Sequence, residues 1–244
     1  MIVQASADCN GPRKWLPLAP LILLILVASI ACAQAVADLG FTTKVSAALT
    51  AHYALRFGAA VPDRFSQWQA FAREQKATPY FRSMDTAKGR EAEILQIVND
   101  AINRQMKWVD DKAHWGADDY WATPAESIGS AGGDCEDFSI AKYYLLKELG
   151  VPLSRLRITY VRALNLGGQA HMILAYYTRP DAEPLILDNI DARVRPASQR
   201  GDLEPVYSFN DDEVQIIQGK LRGKPSQIRA WLTLQERLLA ETRF

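Results

Sequence analysis

The sequence predicts an α+β fold, on three observations. Apolar residues recur at helical spacing through the first half of the chain, the period changes to two beyond residue 155, and one thiol-bearing helix lies between the two regions. Helices first and strands later exclude a doubly wound parallel sheet, which needs the two to alternate.

The elements follow in order. Arg13 and Lys14 precede an apolar run from Trp15 to Ala31 that closes on small residues, the pattern of a signal peptide. Ala33-Gln34-Ala35 offers a small-x-small cleavage geometry, so residues 1–35 are expected to be removed, with retention as an anchor or lipidation at Cys32 as the alternatives. Cleavage leaves 209 of the 244 residues as one domain, 36–244, divided into a helical lead-in over 36–110 and a core over 111–244. That domain carries 26 basic against 27 acidic residues, a balance that argues against nucleic acid as a partner.

Helices are expected near 42–57, 63–77 and 85–109, separated by Val61-Pro62 and Thr78-Pro79. Phe65, Trp68 and Ala72 mark one buried stripe, and Ile94, Val98, Ile102 and Met106, continued by Val109, another. The polar, aromatic stretch Asp110 to Gly133 reads as a long ordered loop with one short helical turn. A helix from Cys135 to Leu149 follows, stopped by Gly150 and Pro152, with Phe138, Ala141, Leu145 and Leu149 as its buried stripe. Strands are expected at Leu156–Leu164, Gln169–Thr178 and Pro184–Ile190, with weaker ones at Arg193–Pro196 and Glu204–Phe209, an antiparallel meander on the central helix. Pro225-Ser226 opens a last helix with Ile228, Trp231, Leu232, Leu238 and Leu239 on its apolar face.

The chemistry centres on Cys135. Cys9 and Cys32 fall in the leader, so the exported domain keeps one thiol with no intramolecular partner, either buried and inert or kept for its reactivity. Gly132-Gly133-Asp134-Cys135-Glu136-Asp137 places it on the first turn of a helix, where unpartnered backbone N–H groups favour a thiolate. Asp134 is the expected N-cap, with Asp137 three residues on.

A nucleophile needs a base. Of the three histidines, His52 lies among the early helices and His114 in the loop, while His171 sits in a strand flanked by Met172, Ile173 and Leu174, where a satisfied core histidine is the bland reading. The acceptor that fixes the imidazole depends on register. If paired positions sum to an odd number, so that residue 190 faces 171, Asp188 shares a sheet face with His171; an even sum favours Asp191.

Trp121-Ala122-Thr123-Pro124, Gly133-Asp134-Cys135-Glu136-Asp137, Gln169-Ala170-His171-Met172 and Leu187-Asp188-Asn189 together resemble the bacterial transglutaminase-like cysteine proteinase family. The resemblance runs from the helical lead-in to Val206-Tyr207-Ser208-Phe209-Asn210 and implies a transglutaminase/papain-like core. It further implies a periplasmic endopeptidase that cuts near the N-terminus of a very large surface adhesin, releasing it and dispersing a biofilm. The implied inhibitor is the periplasmic domain of an inner-membrane cyclic di-GMP receptor. Cys135, His171 and Asp188 match the family's triad, and Asp134 and Glu136 its calcium carboxylates, with Asp137 as a further ligand.

Calcium suits these residues on physical grounds. Carboxylates beside a thiol suppress its ionisation, and a divalent cation offsets them; hard oxygen donors without a second cysteine favour Ca2+ over zinc. Such an ion takes about six to eight oxygens, which directs attention to the acidic segment 110–126 for the remainder. The backbone N–H of Cys135 and a donor from the Trp115–Trp121 region are the expected oxyanion ligands. Two other readings stay open: a transglutaminase or amidase using the same acyl-enzyme, and a non-catalytic exported binding protein.

Overall fold

The computed structural model describes residues 45–82, 90–217 and 221–244. The leader expected over 1–35, and the parts of the first and third helices expected before residues 45 and 90, lie outside the described residues.

The first half is helical. Helix α1 spans Ala47–Phe57, α2 Val61–Ala77, α3 Pro79–Arg82 and α4 Glu91–Gln105. Ser46 caps α1, its hydroxyl accepting from the Leu49 N–H at 2.9 Å. The buried stripe of α2 is Val61, Phe65, Trp68 and Ala72. Helix α4 ends earlier than the expected residue 109. Met106 is already extended, and Lys107–Trp108 form strand β1, which pairs in parallel with β2, Gly132–Gly133. That pairing requires an extended backbone and so overrides the helical period at Val109.

The expected long loop is more ordered than its composition suggests. It holds two helices, α5 at Asp111–His114 and α6 at Pro124–Ser130. Helix α6 opens on a capping box in which the Thr123 hydroxyl accepts from the Glu126 N–H and the Glu126 carboxylate accepts from the Thr123 N–H at 3.0 Å. It closes on Ala131 in the left-handed region, φ 57°.

Helix α7, Cys135–Glu148, is the centre of the molecule. Ten consecutive residues from Asp137 to Leu146 are buried, so the helix is enclosed on all sides rather than along one stripe. It packs on strands β3, Leu156–Ala163, and β4, Gln169–Tyr176, with α4 and α6 against its other flanks. The remaining strands are β5 (Leu185–Leu187), β6 (Arg195–Pro196), β7 (Leu203–Phe209), β8 (Val214–Ile216) and β9 (Leu221–Gly223). The seven-stranded sheet runs in the order β6-β5-β4-β3-β7-β8-β9 with every pairing antiparallel.

Helix α8, Arg229–Glu241, follows a 3-10 turn at Pro225–Gln227. Its buried face is Trp231, Leu234 and Leu238, whereas Leu232 is exposed, a rotation from the expected stripe because Trp231 sets the phase. The Trp231 ring packs on Trp121, Tyr143, Tyr144 and Phe209, tying α8 to both α7 and the sheet. The reverse face of the sheet carries a smaller apolar cluster of Val161, Ile173, Ala175 and Ile186. It forms the floor of a cavity of about 710 Å3, whose lining includes Arg200.

Candidate active site

Strands β4 and β5 pair Leu174 with Leu187 and Ala175 with Ile186, which is the odd-sum register. The ladder stops at Leu187, three residues short of the expected strand end, so Asp188 is the first residue beyond it and turns freely toward β4. Its Oδ1 accepts from His171 Nε2 at 2.8 Å and from the Ile190 N–H at 3.0 Å. Both side chains are buried. Asp191 is instead engaged by Arg193 and Arg195 at the surface.

With Nε2 committed to Asp188, the other ring nitrogen of His171 is the one left for a thiol. Cys135 stands at the first position of α7, and Cys135 and His171 line one groove of about 820 Å3. Tyr160 pairs with Met172 on the neighbouring strand, and the Met172 backbone N–H points to the Cys135 sulfur. Ser139, one turn along α7, donates to the Met172 carbonyl at 3.0 Å and fixes helix to strand. His52 and His114 are elsewhere: the His52 ring packs at a tilt against Phe244, and His114 Nε2 lies 2.9 Å from the Ser130 hydroxyl.

Electrostatics alone disfavour a thiolate here. Burial pushes the Cys135 thiol up, the Glu136 carboxylate beside it adds to this, and Asp134 adds more, against the opposing Met172 N–H. The thiol donates to Glu136 Oε2 at 3.0 Å. The carboxylates are perturbed in turn. Asp134 is pushed up to about 8 by burial and by Glu136, Asp111 up to about 6 by burial despite its bond from Tyr120, and Asp137 well above the usual range by burial and Asp134.

Asp134 occupies the N-cap position, but its side chain makes no capping bond. It turns instead into an acidic cluster. Asp111, Asp134 and Asp137 bring carboxylate oxygens within 4.8 Å of one another, as do Asp111, Asp119 and Glu136. Asp111, Asp134 and Asp137 each also leave one buried oxygen without a hydrogen-bond partner. Donors on opposite sides of a calcium ion stand about 4.8 Å apart, twice the usual Ca–O distance, so the spacing and donor type fit that ion. The remaining oxygen of Asp137 accepts from the Ala122 N–H at 2.7 Å, and Asp111 Oδ2 from the Tyr120 N–H at 2.5 Å, which fixes both carboxylates.

Gly133 makes room for this arrangement. A Cβ on Gly133 would stand 2.6 Å from the Cβ of Asp137, and its φ of +156° falls where L side chains are rarely found. Asp111 and Asp119 were not individually identifiable from spacing. They reach the cluster because β1 pairs with β2, which brings the start of α5 against the start of α7.

A thiol at the start of a buried helix, sharing a groove with a strand histidine whose aspartate partner follows the adjoining antiparallel strand, is the arrangement of the transglutaminase-like class of thiol enzymes. The chain belongs to the bacterial transglutaminase-like cysteine proteinase family, whose model matches residues 63–203. Among solved structures it is similar to calcium-bound LapG of Legionella pneumophila, 36% identical over 78% of this chain and 97% of that chain, TM-score 0.62. The EGTA-treated form of the same protein matches at 35% identity over 78% and 95% of the two chains, TM-score 0.65. No curated protein matches.

Proposed function

We propose that this protein is a calcium-dependent cysteine endopeptidase of the periplasm, exported by its N-terminal leader. Its substrate is the N-terminal region of a large surface adhesin, whose release disperses a biofilm. Its inhibitor is the periplasmic domain of an inner-membrane cyclic di-GMP receptor. The observation that carries the reading is the groove lined by Cys135 and His171, with buried Asp188 bonded to His171 and an acidic cluster beside the thiol. The calcium-bound and EGTA-treated forms of LapG support the metal, and the family resemblance supports substrate and inhibitor.

In this mechanism the unbonded ring nitrogen of His171 takes the proton of Cys135, and the sulfur attacks the peptide carbonyl carbon. The backbone N–H of Cys135, at the first helical position, has no intrahelical acceptor and donates to the oxyanion. His171 then passes its proton to the departing amine, and water, deprotonated by the same ring, hydrolyses the thioester. Asp188 holds the imidazole by its Nε2 throughout. Asp134, Glu136 and Asp137, with Asp111 and Asp119, would hold calcium, which supplies the counter-charge these carboxylates need beside a thiolate.

The test is cleavage of the purified N-terminal part of the host's largest surface adhesin, with calcium, with EGTA, and with calcium restored. Cleavage is expected only with calcium, and Asp134→Ala and Glu136→Ala should imitate chelation without adding to each other. Full cleavage by a folded Cys135→Ala variant overturns the reading.

A further inference from the structure

We propose that Arg200 is a positioning residue of this site. It holds the second carboxylate oxygen of Asp188, so that Asp188 keeps one orientation and one charge state toward His171. The inference rests on the Cys135, His171 and Asp188 reading above.

Asp188 is 1% exposed, and its two oxygens are divided between different tasks. Oδ1 serves His171 and the Ile190 N–H, while Oδ2 accepts from Arg200 Nη2 at 2.8 Å. Arg200 is itself 3% exposed, which is rare for a guanidinium and costly unless it is paired. Its orientation is set from the other side by Asp202, which accepts from Nε at 2.9 Å and from Nη2 at 2.8 Å in a two-point fork. Asp202 is fixed in turn, because its backbone carbonyl accepts from the Leu164 N–H at 2.7 Å at the end of β3.

The chain from β3 through Asp202 and Arg200 to Asp188 therefore converges on the imidazole. The connection from β6 to β7 does not need this guanidinium to hold its shape. The 3-10 turn Ala197–Gln199 and the backbone bonds Arg200 N–H to Ala197 and Leu203 N–H to Arg200 already close it. A group needed only to anchor that connection would have no reason to reach the oxygen opposite His171. Lys142 of α7 also interacts electrostatically with Asp188, but it is fully buried with no hydrogen-bond partner on its Nζ, so it cannot orient the carboxylate as a bonded fork does.

The experiment measures the rate at which iodoacetamide alkylates Cys135 in the calcium-loaded protein across pH, together with cleavage of the adhesin fragment. Arg200→Met should slow alkylation about 100-fold, the order of loss that follows a displaced catalytic group. The acid limb should move to higher pH, because a carboxylate without its cation takes up a proton more readily. In an Asp188→Asn background the same change should alter the rate less than about threefold, since a residue acting through Asp188 has nothing left to act on. Arg200→Lys should recover part of the rate, and Asp202→Asn should give a smaller loss in the same direction.

Losses that multiply in the double variant, or a folded Arg200→Met with unchanged rate and profile, overturn the inference. If Arg200→Met fails to fold, Arg200→Lys and Asp202→Asn, each alone and with Asp188→Asn, decide it by the same criterion. An Asp188→Asn variant with the full rate instead overturns the underlying His171–Asp188 reading, whatever Arg200 does.

Discussion

Chelation should lower the stability of this protein more at pH 8 than at pH 5, and the acidic cluster gives both sign and size. Without the metal, burial pushes Asp111 up to about 6 and, with Glu136, Asp134 up to about 8, against about 3.9 for an aspartate in an unfolded chain. A group whose folded pKa is raised gives its full stability below the unfolded value and loses it as pH rises through the folded value. The metal-free protein therefore weakens between about pH 4 and pH 8. Asp111 alone accounts for less than about 3 kcal/mol, the unscreened product of about two pH units at about 1.4 kcal/mol each, because solvent screening reduces it.

Calcium at a hundredfold excess over its Kd stabilises by about 2.7 kcal/mol, and a chain of this size shifts its Tm by about 2–4 °C per kcal/mol. Melting curves at pH 8 should thus separate by about 5–11 °C between calcium and EGTA, with a clearly smaller gap at pH 5. Glu241, pushed up to about 7 by burial despite bonds from Thr123 and Tyr53, weakens the fold over the same range but is no part of the cluster. The readout is therefore the difference between the calcium and EGTA curves rather than either alone. Coincident curves at pH 8, or a gap independent of pH, would refute the reasoning.

Three further outcomes follow from the geometry. His171→Ala and Asp188→Ala should each remove adhesin cleavage at least about 100-fold with a retained melting transition, whereas Asp191→Ala, which loses only surface pairs with Arg193 and Arg195, should cleave nearly as the parent does. Gly133→Ala should push the Asp137 carboxylate aside and weaken calcium binding, measured by titration calorimetry, and an unchanged affinity would remove Asp137 from the ligand set. Ala131→Gly should raise stability by up to about 1 kcal/mol in urea unfolding, because a residue with φ 57° gains from losing its Cβ strain; a fall would mean that the lost side chain matters more.

The fold was legible wherever one period dominated. The thiol-bearing helix followed from its glycine-rich start and its Gly150 stop, whereas alternation alone left the β4–β5 register open between Asp188 and Asp191, and only the structure supplies the odd sum. Helix α6 was hidden inside an apparent loop although Thr123-Pro124 and Glu126 spell a capping box with proline at the first helical position, a signal that outweighs local polarity. The end of α4 was illegible for a different reason, since only the distant Gly132–Gly133 strand pulls Lys107 and Trp108 out of the helix. Asp111 and Asp119 share that reason, reaching the site through pairing between segments far apart in the chain. Arg200 lies only 12 residues from Asp188, on the turn after β6, but nothing in its local sequence marks it. Asp134 shows the opposite case, correctly placed at the helix start but using its side chain for the acidic cluster instead of a cap.

The enclosure of α7 has an evolutionary corollary. A helix packed on every side tolerates few substitutions, so the thiol and its partners form a fixed engine that drift cannot easily retune. The groove mouth is the reverse: Leu166 and Ile190 line it from the connections after β3 and β5, Trp108 lines it from the end of β1, and all three side chains are exposed. Relatives can therefore diverge in the sequence they cut by exchanging these three side chains while inheriting the chemistry intact. A library randomised there would be the economical route to a protease of altered taste.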